Sequence, residues 1–74
     1  MPDPSTPLWK RYSDRASAAA LRCDDLPDRC EKKEEWQDTL GEIGRNIHVT
    51  GRVAADQMRA VENIEEAIAK WLDR

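Results

Sequence analysis

The sequence predicts a small all-α protein, either a three-helix bundle or a helical hairpin with a third helix packed against it. Three stretches repeat apolar residues every three or four positions, which is the spacing of one face of an α-helix. The 74 residues contain neither alternating β-branched runs nor the Asn-Gly and Asp-Gly pairs of β-hairpins. A chain of this length forms one domain. We therefore expect a single helical domain over residues 7–74, preceded by a disordered segment over residues 1–6.

The first helix is expected over residues 7–23. Thr6 is a candidate N-cap, and Pro7 suits the first helical position because its missing N–H would have no partner there. Three successive alanines at positions 18–20 have thin side chains, so they would let a second helix approach closely. The apolar face of this helix consists of Leu8, Tyr12, Ala16, Ala19 and Cys23.

The second helix is expected over residues 26–47. Its apolar stripe consists of Trp36, Leu40, Ile43 and Ile47. Leu26 and Cys30 lie roughly 80–100° away from that stripe at about 100° per residue. Gly41 and Gly44 interrupt the helix, and each costs about 1 kcal/mol relative to alanine. Such a pair indicates either a close neighbouring helix or a helix end.

The third helix is expected over residues 51–73 and has the broadest apolar arc. The arc consists of Val53, Ala54, Gln57, Met58, Val61, Ile64, Ile68, Trp71 and Leu72. A single small chain would not bury so long an arc, so we expect self-association, with a dimer favoured. The contacts are assigned to Val61, Ile64, Ile68 and Trp71. Glu65 falls inside the arc, where a lone carboxylate is costly. It should therefore either reach solvent or pair with Arg59 or Lys70 of a neighbouring copy.

Two cysteines, Cys23 and Cys30, flank the stretch CDDLPDRC between the first two predicted helices. A structural zinc site needs four ligands, and the chain offers one histidine, His48, besides these thiols and nearby carboxylates. The spacing also differs from the C-x-x-C of redox motifs. We interpret the pair as reduced, buried thiols at the corner between two helices, with a disulfide as the open alternative. No metal or cofactor is expected.

Charge is unevenly distributed along the chain, whose formal net charge is −3. Residues 1–23 carry four basic and two acidic side chains, whereas residues 24–46 carry four basic and eight acidic ones. The first helix can therefore complement the second. No run of apolar residues is long enough for a membrane span, and the polar, proline-containing start does not fit a signal peptide. We expect a cytoplasmic protein.

The residue types of the chain favour binding over catalysis. His48 has no Ser or Cys nucleophile with an acidic partner at a suitable spacing, and no glycine-rich phosphate loop occurs. We therefore do not expect an enzyme. The leading hypothesis is a small regulatory protein that binds a partner protein as an inhibitor, adaptor or assembly factor. Small size and acidity would suit a phage or bacterial regulator.

Residues 39–58, TLGEIGRNIHVTGRVAADQM, resemble a DNA-binding helix-turn-helix. Gly44 would occupy the helix crossing, and Thr50 would cap the recognition helix. The corner between the helices would be filled by Ile43, Ile47, Val49, Ala54 and Met58. The resemblance implies, as the alternative hypothesis, a dimeric DNA-binding regulator. Its base-reading residues would be Arg52, Ala55, Asp56 and Arg59.

A third hypothesis places an anion site on the first helix. Lys10, Arg11 and Arg15 are interspersed there with Trp9 and Tyr12. Cations mixed with aromatic rings can bind nucleic acid strands or phosphate-bearing ligands. On this hypothesis the protein is an oligomer that binds a small anion, such as a nucleotide, through the three cations.

Overall fold

The computed structural model describes residues 6–73 and contains three α-helices in that range. They are α1 (Leu8–Arg22), α2 (Lys33–Thr50) and α3 (Ala55–Leu72), and a short 3₁₀ turn, Cys23–Asp25, follows α1. Residues 6–73 contain no β-strand, so the prediction of an all-α fold is confirmed. The predicted disordered segment, residues 1–6, falls outside the described range except for Thr6.

The first two helices form an antiparallel pair. At one end the ring of Trp9 meets that of His48 edge-on, with the ring centres 6.3 Å apart. At the other end Asp24, just after α1, accepts a hydrogen bond of 2.6 Å from the side-chain amide of Gln37 in α2. Contacts at both ends therefore fix the direction of α2 relative to α1.

The third helix runs parallel to α1 and packs along its other side. The hydroxyl of Tyr12 donates a hydrogen bond to Glu62, and the guanidinium of Arg15 donates to Glu65. A step of three residues along α1, from Tyr12 to Arg15, corresponds to a step of three residues along α3, from Glu62 to Glu65, so the two helices point in the same direction. The three helices therefore run up, down and up.

Apolar residues from all three helices and from the α1–α2 connector form one core. Its buried members are Tyr12, Ala16, Ala19, Cys23, Leu26, Cys30, Leu40, Ile47, Val61 and Ile68. Trp36 and Ile43 pack against the edge of this core, so the stripe predicted for the second helix is confirmed. The face predicted for the first helix is confirmed except at Leu8, which is half exposed.

The helices α1 and α2 approach each other closely at Gly44. A Cβ atom added at Gly44 would lie 3.4 Å from the Cβ of Ala16 and 3.7 Å from the carbonyl oxygen of Ser13. The buried Ser13 hydroxyl also donates a hydrogen bond of 3.3 Å to the carbonyl oxygen of Gly44. Gly41, one turn earlier, has no such neighbour within 4 Å. One of the two glycines therefore marks the close neighbour that the sequence indicated.

The connector between α1 and α2 differs from the predicted start of the second helix at residue 26. Leu26 and Cys30 are buried, but they precede α2, which begins only at Lys33. The N–H of Cys30 donates to Pro27 O at 2.9 Å, and the N–H of Lys33 donates to Cys30 O at 3.2 Å. Leu26 and Cys30 would both lie off the apolar stripe if α2 extended back to them. The backbone before α2 is not helical, and this conformation directs both side chains into the core.

The turn between α2 and α3 also differs from the prediction. Thr50, expected to cap the third helix, is the last residue of α2. Gly51 follows with a φ of +66°, a left-handed conformation that glycine adopts readily and that ends many helices. The N–H of Ala54 then donates to the side-chain oxygen of Gln57 at 2.8 Å, and α3 begins at Ala55. The third helix therefore starts four residues later than predicted.

The centre of the α3 arc is buried by this chain alone. Val61 and Ile68 are inaccessible to solvent, and Ile64 and Trp71 are partly buried against the core. The ends of the arc stay uncovered, with Ala54 and Leu72 exposed, so the single chain buries the centre of the arc and not its whole length. Val61 and Ile68 offer no surface to a second copy while the bundle is folded. Self-association through another surface stays a prediction.

Gly41→Leu and Gly44→Leu are expected to change stability in opposite directions. At position 44 the larger side chain would press against α1, so the free energy of unfolding should fall by about 1–3 kcal/mol. At position 41 it enters open space, and replacing a helical glycine should raise that free energy by up to about 1 kcal/mol. Urea denaturation followed by circular dichroism measures both. Equal losses in the two variants would contradict the close approach at Gly44.

Candidate functional site

The two thiols lie in the core and not at an open site. Cys23 and Cys30 are 0% and 4% exposed, and neither is in a disulfide. Burial, and to a lesser extent the nearby Asp24 and Cys30, raises the pKa of the Cys23 thiol above its usual value of 9.0. No group of three or more potential metal ligands occurs among residues 6–73. Both cysteines therefore act as small apolar side chains at the corner of the fold.

We expect both thiols to resist labelling while the protein is folded. Thiol reagents attack the thiolate, which burial and the raised pKa of Cys23 both disfavour. The folded state holds this proton more tightly than the unfolded state. The contribution of Cys23 to stability is therefore full below the ordinary pKa and is lost as pH rises through the raised value. Labelling with dithionitrobenzoate at pH about 8 should be slow in native protein and fast in guanidinium. Fast labelling of native protein would contradict the burial.

Arg15, one of the three candidate anion-binding cations, is bound by α3. Its Nη2 donates to Oε1 of Glu65, and its Nε donates to Oε2 of the same carboxylate at 3.3 Å. The guanidinium carbon lies 4.7 Å from the centre of the Tyr12 ring, whose hydroxyl donates to Glu62 at 2.7 Å. The bond to Glu65 raises the pKa of Arg15, and the bond to Glu62 raises the pKa of Tyr12. These four side chains join α1 to α3.

Glu65 therefore has its partner within its own chain. The sequence predicted either solvent or a cation of a second copy, and Arg15 was not considered because it lies fifty residues away. Lys70, one of the two cations considered for Glu65, is paired with Glu66 on the surface of α3, where its Nζ lies 3.6 Å from Oε1 of that residue. The Arg15 and Glu65 side chains remain 42% and 26% exposed, so solvent screens their attraction. The pair contributes up to about 1 kcal/mol and positions α3 more than it stabilises it.

The structure does not bring the three candidate anion-binding cations together. Lys10 is exposed, and five helical residues turn it about 140° away from Arg15 around α1. The Nε of Arg11 is buried without a hydrogen-bond partner among residues 6–73. Arg11 and Arg15 line a cleft that also contains the carboxylate of Asp14. One of the three cations is thus neutralised by Glu65, and an acid shares the cleft.

The candidate DNA-reading residues lie where α2 ends and α3 begins. Arg52, Ala55, Asp56 and Arg59 are all exposed there. The up-down-up order places the start of α1 at the same end of the bundle. The exposed cations of that end, which we call the basic end, are Lys10, Arg45, Arg52 and Arg59.

The packing at this corner differs from that of a helix-turn-helix in three respects. Gly44 faces α1 and so does not mediate a crossing of α2 with α3. Val49, which was expected to fill the corner, is 74% exposed. Thr50 ends α2 instead of capping α3. The resemblance of residues 39–58 is therefore one of sequence pattern and does not extend to the packing.

An open groove runs along the α1–α2 pair, and none of its lining residues belongs to α3. Its lining residues are Ser17, Ala20, Leu21, Asp24, Gln37 and Gly41. Leu21 is 71% exposed, and a Cβ atom added at Gly41 would have no neighbour within 4 Å outside its own helical turn. We call this surface the α1–α2 groove. Its floor is made of small residues, with one large apolar side chain standing beside it.

Carboxylates border the connector end of the α1–α2 groove. A polar pocket there shares Gln37 with the groove. Together with Asp24, its acidic side chains form what we call the acidic rim: Asp24, Asp28, Glu31 and Glu34. Lys33, the cation of the same pocket, turns toward the connector and donates to Leu26 O at 3.1 Å. The rim is therefore dominated by negative charge.

Sequence reasoning did not find the α1–α2 groove. Gly41 was grouped with Gly44 as a sign of either a close neighbouring helix or a helix end, although only Gly44 makes a close contact with another helix. Leu21 fell outside the apolar face of the first helix and was assigned no role. The position of Leu21 could have indicated the groove, because a large apolar residue off the buried face of a helix is left on the surface.

Comparisons with known proteins found no matching family model, no matching curated protein and no matching solved structure. What the protein does has to be inferred from its own residues. Within residues 6–73, no helix combines the length and the apolar character needed to cross a lipid bilayer.

Proposed function

We propose that the protein is a non-catalytic regulator that binds a partner protein through the α1–α2 groove. The observation that carries this proposal is the pairing of Leu21, 71% exposed, with the bare backbone at Gly41. The lining of the groove beside Leu21 is mostly apolar and open to solvent, so a partner that covered it would remove that apolar surface from water. Inhibition, adaptor activity and assembly of a complex all follow from occupation of such a surface.

The groove suits a helix or an extended segment of a partner. Ser17, Ala20 and Gly41 project little, so a partner backbone can approach the floor closely while its apolar side chains contact Leu21. Both walls are regular helices held together by the contact between Gly44 and Ala16. Little conformational entropy is lost when a preformed surface of this kind binds.

The other chemical groups of the chain have structural tasks that support a binding role. Cys23 is buried, and Tyr12 and Arg15 hold α3. The proposed compartment is the cytoplasm, where thiols such as Cys23 and Cys30 stay reduced. A small regulator of phage or bacterial origin remains part of this proposal.

A photoreactive phenylalanine analogue at position 21 is expected to capture the partner in an extract of the source organism. The adduct should be discrete, because one protein fits the groove, and it should disappear when Gly41→Leu fills the groove. Mass spectrometry of the adduct identifies the captured protein. Circular dichroism of the Gly41→Leu variant checks that the fold is retained.

The matched control carries the same analogue at position 49, since Val49 is also exposed but lies outside the groove. It should give no adduct with the captured protein. Absence of any adduct at position 21, or the same adducts from both positions, would contradict the proposal.

A second candidate function is DNA binding at the basic end. The observation that favours it is the exposure of Lys10, Arg45, Arg52 and Arg59 at one end of the bundle. Phosphate contacts strengthen as salt is lowered. Arg52→Ala with Arg59→Ala should therefore weaken binding of a fluorescent duplex at low salt if this candidate is right. A wild-type protein that does not bind the duplex at low salt removes it.

A further inference from the structure

We propose that the occupant of the α1–α2 groove is a cationic amphipathic helix of the partner. Its basic residues would lie over the acidic rim and its apolar face would lie on Leu21. This inference rests on the proposed function and specifies the chemistry of the partner. The observation behind it is the continuity of an apolar groove with a row of carboxylates at one end.

The carboxylates of the rim are available to an incoming cation. Glu31 and Glu34 are exposed and make no ion pair or hydrogen bond with another residue of the described range. The side chain of Asp28 is fully exposed, and its Oδ1 lies 4.0 Å from Nζ of Lys33. The ammonium of Lys33, which also donates to the carbonyl oxygen of Leu26, offsets the charge of one rim carboxylate, so the four carboxylates of the rim keep a net negative charge. Cationic side chains of a partner would therefore meet unsatisfied negative charge.

The charge also changes sign along the groove, which orients the occupant. Lys10 lies seven residues before Ser17 on the same face of α1, and Arg45 lies one turn after Gly41 on α2. These two exposed cations belong to the basic end, opposite the acidic rim. A helix with its basic residues at one end fits in one direction only. Its N-terminal end is favoured at the rim, because the helix dipole is positive there.

A second copy of this chain fits the groove less well. Each copy carries a net charge of −3, so two copies repel each other. A stable dimer also buries about 800 Å² on each chain, whereas the groove presents Leu21 as its large exposed apolar side chain. The other strongly exposed apolar residues, Leu8 and Val49, lie outside the groove. A single helix can bind while burying less surface than a second folded copy of the chain would have to bury.

The test uses three fluorescein-labelled peptides of about five helical turns. The first has leucine and alanine on one face and lysines in its N-terminal half. The second has glutamates in place of the lysines, and the third has the composition of the first with the helical periodicity scrambled. Fluorescence anisotropy should show binding of the first, and at least about tenfold weaker binding of the other two. Equal binding of the lysine and glutamate peptides through the groove would overturn the inference.

Matched variants locate the binding. Leu21→Ala and Gly41→Leu should each weaken the lysine peptide about tenfold, a typical loss for a central contact. Leu8→Ala, the same change on the same helix but outside the groove, should have no effect on binding of the peptide.

A second pair of variants tests the acidic rim. Glu31→Gln with Glu34→Gln should weaken binding of the lysine peptide several-fold in low salt. Glu66→Gln on α3 with Asp73→Asn just after it alters the net charge equally and should not weaken binding. Equal effects of the two charge pairs would mean non-specific attraction and overturn the inference.

Failure of this inference is distinguishable from failure of the proposed function. A protein captured at position 21 through an acidic or non-helical segment overturns the cationic helix and leaves partner binding intact. Capture of a second copy of this chain at position 21, with a dimeric mass in sedimentation, overturns the inference and identifies the groove as a self-association surface. Loss of every groove-specific adduct removes the proposed function itself.

Discussion

The close contact between Gly44 and Ala16 is the constraint on which the rest of the structure depends. Glycine at position 44 and small side chains on α1 let the two backbones come near each other, and the Ser13 hydroxyl donates to the carbonyl oxygen of Gly44. At that distance Leu40 and Ile47 of α2 enter the core beside the apolar face of α1. Small residues of the same two helices, Ser17, Ala20 and Gly41, form the floor of the α1–α2 groove.

The third helix completes the core from one side and is held there by polar contacts at its margin. Val61 and Ile68 are buried, while Glu62 and Glu65 accept hydrogen bonds from Tyr12 and Arg15. The far end of α3 meets the connector, where the guanidinium carbon of Arg29 lies 5.9 Å from the Trp71 ring centre. Because α3 occupies one side of the α1–α2 pair, the opposite side is left to solvent or to a partner.

The fold was predictable from apolar spacing, but the helix boundaries and the groove were not. The periodicity of Leu40 and Ile47, or of Val61 and Ile68, depends on local geometry alone, so it marks a buried face without any knowledge of the neighbours. The start of α2 was missed because Leu26 and Cys30 are buried by a non-helical path that local spacing does not encode. A buried apolar residue off the helical stripe is a sign of such a path.

Contacts between residues that are distant in the sequence bear on the candidate sites and could not be predicted from local spacing. Arg15 was assigned to an anion site because it lies among cations and aromatic residues. Its pairing with Glu65, fifty positions away in the sequence, is a tertiary contact that local spacing does not reveal. The self-association surface was assigned to the α3 arc because the depth to which α1 covers it is a tertiary property. Gly41 and Gly44 look alike in sequence, and only the crossing point of α1 distinguishes the buried one from the exposed one.

The central claim is that α1 and α2 touch at Gly44 while their opposite side stays uncovered by α3. Nuclear Overhauser effects between protons of the labelled protein test both halves of this claim at once. We expect contacts from the α-protons of Gly44 to the methyl group of Ala16, and none from any α3 side chain to Leu21 or Gly41. A missing contact between Gly44 and Ala16, or a contact between α3 and Leu21, would contradict the account.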